Sequence, residues 1–266
     1  MKLTVLTENT ACRPKIQAGH GLSLLLETEG RHILLDVGPG PEFAENAKLL
    51  NVDLDQVEFC VISHGHDDHG GGLHRFLEEN THAPVYLAKG AFDRHFSGRG
   101  EIGLATELAQ HPRIHMTDAV TLLDDQVTLF SAVPGEELVP SANQGLLDEH
   151  GPDGFLHEQD MLIREGKRLY LFGGCAHRGI VNIMERAKTL AGRYPDVVVS
   201  GFHLAAGGTG KCMADDAYLD ALGKRLLDTG AQFYSCHCTG PEGLERLKKR
   251  MGTSLTAISG GEILEI

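Results

Sequence analysis

The chain has 266 residues, of which 41% are apolar, and this is enough for one large domain or two small ones. A formal net charge of −13 without a Lys/Arg cluster argues against a surface for nucleic acid or for an anionic membrane. We therefore expect a small-molecule substrate, whose anionic character is inferred from the metal chemistry below and not from this charge, and we leave homo-oligomerisation open. Because six cysteines are too few for a disulfide scaffold and no apolar run is typical of a signal peptide or membrane span, we expect a cytoplasmic protein with reduced thiols.

Short apolar runs alternate with glycine turns through the first part of the chain. Their length and β-branched content predict strands, and the first three are close enough in sequence to form a hairpin meander. A helix that opens with proline in its first turn is expected between the third and fourth strands. The predicted elements are the strands KLTVLTE, LSLLLET, HILLDVG and VEFCVIS and the helix PEFAENAKLL.

The second part of the chain again predicts a sheet followed by helices. The segment DMLIREGKRLYLFGG predicts a hairpin with its turn at Glu165 to Lys167. Two sheets packed face to face with helices outside, a four-layer αββα sandwich of the α/β class, suit this mixed order better than one parallel sheet. We expect one domain over residues 1–266, built from two sheet-plus-helix halves. The further predicted elements are the helix GIVNIMERAKTLAG, the strand DVVVSG, a helix from Asp215 to Asp228, the strand AQFYS, the helix PEGLERLKKRM and the strand LTAIS.

A stretch rich in glycine, proline and aspartate, from Leu138 to His157, lies between the two halves. This composition predicts irregular structure rather than a strand or helix. Long irregular loops in compact domains often cover active sites, so we predict a lid over residues 138–157.

The segment VISHGHDDHGGGL, residues 61–73, places three histidines and two aspartates in six consecutive positions after an apolar run. Polar groups at this density are costly to desolvate at the end of a buried strand unless something binds them. His64 and His66 can point their imidazoles the same way, while Asp68 and His69 reach a neighbouring point. The spacing predicts sites for two divalent metal ions, with zinc as the best match and manganese or iron as alternatives.

Glycines flank these residues on the turn that follows. Gly65 and the run Gly70 to Gly72 predict tight backbone turns that let the chain approach the ions closely. The alternative for the whole segment is a solvated, histidine-rich loop that binds nothing. We favour the metal site, because the order H-x-H-x-D-H stands between a strand and a glycine turn.

This order resembles the signature of the metallo-β-lactamase-fold superfamily, and LLDVG resembles its strand-end aspartate, Asp36. The resemblance implies that Asp36 hydrogen-bonds and orients a ligand histidine without binding the metal itself; a turn residue is the alternative. Three later segments are similar to the dihydropterin (dihydropteroate) synthase-like branch of the superfamily, which is related to an archaeal enzyme of methanopterin biosynthesis. That branch usually has tyrosine in place of Asp67 and threonine in place of Gly70, which leaves the substrate open. The three segments are GGCAHRGIVNI, SGFHL and SCHCTGPEG.

Further ligands are expected from the second half. His237 follows a strand and precedes a helix, so we expect it to project from a sheet edge as a ligand of the second metal. Its neighbours Cys236 and Cys238 point to the opposite face if the strand persists, which favours packing over a zinc clamp. Cys175 occupies a strand end where the superfamily commonly has a bridging aspartate, and is either a thiolate ligand or a buried structural cysteine. His203 ends another strand and either binds substrate or caps the core.

Two other features invite a functional interpretation. His20, in AGHGLS, is expected to be structural. The string AAGGTGKC resembles a phosphate-binding loop, but the required first glycine is alanine and cysteine follows the lysine. We therefore assign neither of them to the metal site.

Two histidines compete for the sixth ligand position. His157 precedes the predicted hairpin, as a ligand histidine does in much of the superfamily, but it lies in a Gly/Asp-rich loop. His177 follows a strong apolar strand and two glycines and opens a helix, and a ligand on a rigid element is held more accurately. We predict that His177 is the ligand and that His157 lies near the substrate or is simply exposed. The predicted set is His64, His66 and His177 for the first metal and Asp68, His69 and His237 for the second, with Cys175 as a further ligand.

Metals at such a site lower the pKa of a bridging water and polarise a carbonyl or phosphoryl oxygen, which predicts a hydrolase that uses a metal-bridging hydroxide. We interpret Asp68 and His203 as catalytic residues and expect a small, phosphorylated substrate. The resemblance implies an alternative, a transferase that displaces diphosphate from a dihydropterin and joins it to an aminobenzene ribosyl phosphate. A third possibility is a non-catalytic metal or redox sensor that uses Cys175 and Cys236.

Overall fold

The computed structural model describes residues 1–205 and 210–266, so the string AAGGTGKC lies in part outside the described residues. The strands are β1 (Lys2–Thr7), β2 (Ser23–Thr28), β3 (Arg31–Leu35), β4 (Phe59–Val61), β5 (Val85–Ala88), β6 (His95–Ser97), β7 (Gly100–Glu101), β8 (Ile114–Thr117), β9 (Val120–Leu122), β10 (Val127–Ser131), β11 (Leu147–Asp148), β12 (Gly151–Pro152), β13 (Gln159–Glu165), β14 (Arg168–Phe172), β15 (Val197–Val199), β16 (Gln232–Ser235), β17 (Leu255–Ala257) and β18 (Ile263–Glu265). The α-helices are α1 (Glu42–Leu49), α2 (Asp67–Gly70), α3 (Leu73–Glu79), α4 (Ile180–Ala191), α5 (Asp216–Leu227) and α6 (Pro241–Met251).

Residues 1–119, 146–159 and 259–266 form one compact unit around a seven-stranded sheet, in the order β18-β1-β2-β3-β4-β5-β8. Strands β1, β2 and β3 pair antiparallel, which confirms the predicted meander. Helix α1 begins directly after Pro41 and buries Phe43 in the core of this unit. The apolar runs therefore predicted these strands correctly, and the predicted helix is present with Pro41 directly before its first residue rather than inside its first turn.

The parallel part of the first sheet brings the ends of β3 and β4 to one edge. Strands β3, β4, β5 and β8 run parallel, so their carboxyl ends meet there. Asp36 directly follows β3, and the chain after β4 leads to His64. Residues that are distant in sequence therefore meet at this edge of the sheet.

A four-stranded sheet, β12-β11-β6-β7, corrects the prediction that residues 138–157 have no regular structure. Strands β11 and β12 form a short hairpin, and β11 also pairs with β6. The carboxylate of Asp148 accepts the N–H groups of His150 and Gly151, which closes the turn. Here the high content of glycine and aspartate specifies a tight hairpin rather than an irregular loop.

Residues 120–145 and 160–258 form the second unit, with a seven-stranded sheet in the order β17-β16-β15-β14-β13-β10-β9. Strands β13 and β14 form the predicted hairpin, with Glu165 paired to Arg168 across the turn. Strands β14, β15, β16 and β17 run parallel. As in the first unit, the carboxyl ends of the parallel strands lie at one edge of the sheet, so the residues that follow these strands lie there too.

The helices of the second unit lie where the sequence predicts them. The side chain of Asp215 accepts the N–H of Tyr218 and caps the start of α5. Helix α4 ends at Gly192, which has the left-handed conformation that glycine adopts without strain. Helix α6 begins with Pro241, whose missing N–H costs nothing in a first turn. The start of α5, the end of α4 and the start of α6 are thus each specified by a residue that can be read from the sequence.

The two units are interleaved along the chain. Residues 120–145 belong to the second unit, residues 146–159 return to the first, and residues 259–266 add β18 to the first sheet. The α-helices of the described residues span at most twelve residues, fewer than a bilayer crossing requires.

Candidate metal centre

Three of the predicted ligands form a buried cluster after β4. His64 and His69 are completely buried, and His66 is 5% exposed. The ring centroid of His64 lies 4.5 Å from that of His66 and 4.2 Å from that of His69. Burial, together with the nearby imidazole of His157, holds the pKa of His66 well below its usual value, which keeps it in the neutral form that binds metals.

Asp36 fixes the orientation of His69. Its Oδ2 atom lies 2.6 Å from Nδ1 of His69, and both side chains are fully buried. The backbone N–H and the hydroxyl of Ser63 also donate to this carboxylate, at 2.7 and 2.8 Å. Because Nδ1–H of His69 is directed to the carboxylate, Nε2 is the nitrogen with a lone pair for a metal. The resemblance implies that Asp36 orients a ligand histidine; Asp36 contacts His69, and the role of His69 as a metal ligand stays a prediction.

Asp68 lies at the start of α2 and is partly buried. Its Oδ2 atom is 3.3 Å from Nε2 of His20, while Asn9 donates to Nδ1 of the same ring at 3.4 Å. This pattern leaves the Nε2–H of His20 to donate to Asp68. We expected His20 to be only structural, but its contact with Asp68 brings it to the candidate site.

A second cluster in the first unit contains two residues that sequence analysis did not select. Asp153 Oδ2 lies 3.1 Å from His95 Nδ1 and 3.1 Å from His157 Nε2, and these side chains are 3% exposed. The expectation that His157 is simply exposed is therefore wrong. Its Nδ1 atom accepts the N–H of Gly65, between two predicted ligands, at 2.9 Å. The donor atoms of this cluster and of His66 lie within 4.8 Å of one another, close enough to be tested as a further metal site.

Electrostatics in this second cluster favour a charged pair. Burial lowers the pKa of His95, but its contacts with Asp153 outweigh burial and raise it overall. Burial in turn raises the pKa of Asp153, but hydrogen bonds from His157 and His95 lower it well below its usual value. Burial is the main cause of the lowered pKa of His157. A protonated His95, an ionised Asp153 and a neutral His157 fit these directions.

The second unit gathers other predicted site residues. Donor atoms of Cys175, His177 and His203 lie within 4.8 Å of one another, and all three side chains are buried. The rings of His177 and His203 are 4.1 Å apart between centroids. Asn143 contacts His177 twice: its amide donates to the carbonyl at 2.8 Å, and its Oδ1 atom lies 3.0 Å from Nδ1. Asn143 belongs to the predicted lid segment, so part of that segment contacts a predicted ligand.

His237 follows the end of β16, as predicted, but the strand does not persist through it. Residues His237–Thr239 form a 3-10 turn, so the expected alternation that directs Cys236 and Cys238 away from His237 does not apply. The donor atoms of Cys175, His237 and Cys238 instead lie within 4.8 Å of one another. Burial opposes ionisation of Cys238, but hydrogen bonds with Cys175 and His203 lower the pKa of its thiol well below the usual value.

The family of this chain is established by a direct comparison. The model of the metallo-beta-lactamase superfamily matches residues 16–170. The chain therefore belongs to the metallo-β-lactamase superfamily, whose members are mostly metal-dependent hydrolases. The matched range contains the predicted motif at residues 64–69.

Similar proteins extend the likeness to the whole chain. An uncharacterised protein of Methanocaldococcus jannaschii is 28% identical over 254 residues, which are 93% of this chain and 94% of the relative. In the same organism, 7,8-dihydropterin-6-methyl-4-(beta-D-ribofuranosyl)-aminobenzene-5'-phosphate synthase is 26% identical over 270 residues, 92% of this chain and 90% of the relative. The solved structure of Tm1679, described as a metal-dependent hydrolase of the β-lactamase superfamily, has a TM-score of 0.83 at 26% identity and covers 100% of this chain and 99% of that one. The predicted α/β fold of the metallo-β-lactamase type and the resemblance to the synthase-like branch are thereby confirmed.

Proposed function

We propose that this chain is a metal-dependent hydrolase that acts on a small, phosphorylated substrate. The observation on which the proposal rests is the buried contact of three imidazoles, His64, His66 and His69, with Asp36 directed at the last of them. Burying three imidazoles removes their hydration, and a divalent ion compensates by taking a lone pair from each ring. The residues present therefore fit zinc, and they also fit manganese or iron.

We assign the ligands as the sequence predicts them, for two divalent ions. The hydrogen bonds of His157 support the choice of His177 as the sixth ligand, because both ring nitrogens of His157 already have partners, Gly65 N–H and Asp153. The proximity of Cys175 to donor atoms of His177 supports its inclusion. The proposed set is His64, His66 and His177 for the first ion and Asp68, His69 and His237 for the second, with Cys175 as a further ligand.

Divalent ions bound there supply a water-derived nucleophile at neutral pH, polarise a phosphoryl or carbonyl oxygen, and neutralise a leaving group. The chain's own residues perform the proton transfers. Asp68 is partly exposed, its Oδ2 atom lies 3.3 Å from Nε2 of His20, and we propose that its carboxylate accepts a proton from the nucleophile. His203, whose ring packs on that of His177, is proposed to bind the substrate and to protonate its leaving oxygen.

The similarity to the Methanocaldococcus synthase over 92% of the chain supports a second candidate. In this alternative the chain is a transferase that displaces diphosphate from a dihydropterin, and the attacking group is an aromatic ring rather than water. Both candidates use the same metal ligands, so they differ in the acceptor of the transferred group. Asp67 and Gly70 differ from the branch pattern and leave the substrate open. The hydrolase is our first choice because members of the superfamily are mostly metal-dependent hydrolases.

A metal analysis followed by a substrate screen tests the proposal. We expect purified protein to contain divalent metal and, in a screen of phosphodiesters, lactones and thioesters, to hydrolyse a phosphodiester. Hydrolysis of lactones or thioesters alone would keep the hydrolase and exclude the phosphorylated substrate. His66→Ala and Asp68→Asn are each expected to abolish turnover while leaving the circular dichroism spectrum unchanged, because both residues lie beyond the strands of the core. His82→Ala, at an exposed histidine of the same unit, is the matched control.

Two outcomes decide between the candidates. Equal activity of the His66 and Asp68 variants and the wild type, at matched metal content, would refute the metalloenzyme. Turnover of a pterin diphosphate with an aminobenzene ribosyl phosphate, and of no ester, would replace the hydrolase by the transferase. Metal binding without turnover of any of these compounds would favour the sensor.

A further inference from the structure

His95, Asp153 and His157 form a hydrogen-bonded triad beside the predicted ligands. His95 begins β6, Asp153 follows β12, and His157 precedes β13, so three separate elements contribute to it. Asp153 Oδ2 is 3.1 Å from a nitrogen of each ring, and Asp153 Oδ1 accepts the N–H of Phe155 at 2.6 Å. The carboxylate is therefore held by three donors in a buried position.

The surrounding backbone fixes the proton positions in the triad. Nδ1 of His157 accepts the N–H of Gly65 at 2.9 Å, so its proton is on Nε2 and is donated to Asp153. Nε2 of His95 lies 3.2 Å from the carbonyl oxygen of Gly90, to which it can only donate. His95 therefore needs a second proton, on Nδ1, to hydrogen-bond with Asp153.

The same geometry argues against a metal ion between these side chains. An ion bound to Nε2 of His157 needs the lone pair of that nitrogen, which moves the proton of the neutral ring to Nδ1. There it would face the N–H of Gly65, and two donors would oppose each other at the distance of a hydrogen bond. The proximity of these donor atoms is thus accounted for by hydrogen bonding alone.

We propose that His95, Asp153 and His157 are positioning residues that hold the Gly65 amide, and with it the backbone between His64 and His66. Asp153 keeps the proton of His157 on Nε2, and Nδ1 of His157 then accepts the N–H of Gly65. The inference rests on the proposed function only in taking His64 and His66 as metal ligands.

Close packing around Gly65 supports this role. A Cβ atom at this position would overlap the carbonyl oxygen of Ala91 and would lie 2.9 Å from Nε2 of His95. The backbone of Gly65 is thus confined by packing and held by its hydrogen bond to His157. Outer hydrogen bonds of this kind typically change metal affinity by about 10- to 100-fold when they are lost.

Substitutions at His157 separate hydrogen bonding from packing. Asparagine can place its Oδ1 atom near the position of Nδ1, so His157→Asn retains an acceptor for Gly65, whereas His157→Leu retains bulk without an acceptor. Zinc affinity, measured by competition with a chromogenic chelator, is expected to fall about tenfold in the leucine variant and to stay near wild type in the asparagine variant. His82→Leu is the control at an exposed histidine.

Asp153 offers an independent test of the proton assignment. In Asp153→Asn, an amide oxygen in place of Oδ2, the atom that both rings contact, can still accept from His157, so zinc affinity is expected to be retained. The amide nitrogen then faces the N–H of Phe155, so this variant is expected to lose stability rather than affinity. Asp153→Ala removes both contacts and is expected to weaken zinc binding like His157→Leu. If the triad were purely structural, all four substitutions at His157 and Asp153 would lower the thermal midpoint of the metal-free protein. Zinc affinity would then not differ between the asparagine variants and the leucine and alanine variants.

Nitrogen-15 NMR of the wild-type protein tests the triad without any variant. We expect His157 to be neutral with its proton on Nε2, and His95 to carry protons on both nitrogens. A proton on Nδ1 of His157, or a third zinc ion that His95→Gln removes, would overturn the proposal, as would equal zinc affinity of His157→Leu and His157→Asn. Wild-type protein that binds two zinc ions but hydrolyses nothing would contradict the proposed function and leave the positioning triad intact.

Discussion

Asp36→Asn tests whether the carboxylate controls the proton on His69. The amide can keep Oδ1 for the N–H of Ser63, and the Ser63 hydroxyl can rotate to accept from the new N–H group. His69 cannot adapt in this way, because its Nδ1–H would face an amide N–H from 2.6 Å. The ring must either leave a buried donor unpaired, at about 1–3 kcal/mol, or move its proton to Nε2. Moving the proton removes the lone pair that we assign to the second ion.

We therefore expect Asp36→Asn to weaken binding of one of two zinc ions by about 10- to 100-fold and to lower the free energy of unfolding by about 1–3 kcal/mol. Chelator competition measures the first quantity, and urea denaturation of the metal-free protein measures the second. Asp118→Asn, at a side chain that is 77% exposed, is the matched control. Two zinc ions bound to Asp36→Asn with wild-type affinity would refute the assignment of the proton.

Two further substitutions test the packing around the site and the ligands of the second unit. Gly65→Ala is expected to lower the free energy of unfolding by about 1–3 kcal/mol in urea denaturation, because its Cβ would overlap a backbone carbonyl, whereas Gly98→Ala has open space and should be neutral. Cys175→Ser is expected to abolish the near-ultraviolet sulfur-to-cobalt charge-transfer band of the cobalt-substituted protein, while Cys12→Ser, at an exposed thiol, should preserve it.

Each of these expectations has a result that contradicts it. Equal stability of Gly65→Ala and Gly98→Ala would show that the backbone at Gly65 moves aside without cost. An unchanged charge-transfer band in Cys175→Ser would remove Cys175 from the proposed ligand set. Loss of the band in Cys12→Ser would show that the cobalt-bound sulfur belongs to Cys12, in the first unit, and would contradict the assignment to Cys175.

Strong local signals explain why much of the fold could be predicted. Helix α6 has the predicted bounds, Pro241 to Met251, because proline marks its first turn and a buried apolar stripe follows. The β13–β14 hairpin has its turn where predicted, since apolar residues stop at the glycine-containing turn. The strands from β5 to β10 were not predicted, because most of them contain polar residues and lack a continuous apolar run such as FCV in β4 or VVV in β15.

The site could be predicted where its residues are contiguous and not where they meet only in three dimensions. The motif at residues 64–69 has its ligands in one short segment, so spacing alone was informative. Asp153 and His95 are separated by 58 positions and meet because β11 pairs with β6. Asp153 stands four residues before His157, but such a pair is common on protein surfaces and predicts no contact by itself.

The donor types in the two units bear on which metal the protein selects. The first unit offers imidazoles and the carboxylate of Asp68, a set that zinc, manganese and iron all accept. The second unit offers the thiols of Cys175 and Cys238 within 4.8 Å of a nitrogen of His237. A thiolate ligand favours zinc over the harder manganese ion, so Cys175 is the residue on which metal selectivity should depend. The superfamily commonly has an aspartate at the position of Cys175, and a carboxylate is a harder donor than a thiolate. A site with that aspartate should therefore bind manganese more readily than the site of this chain.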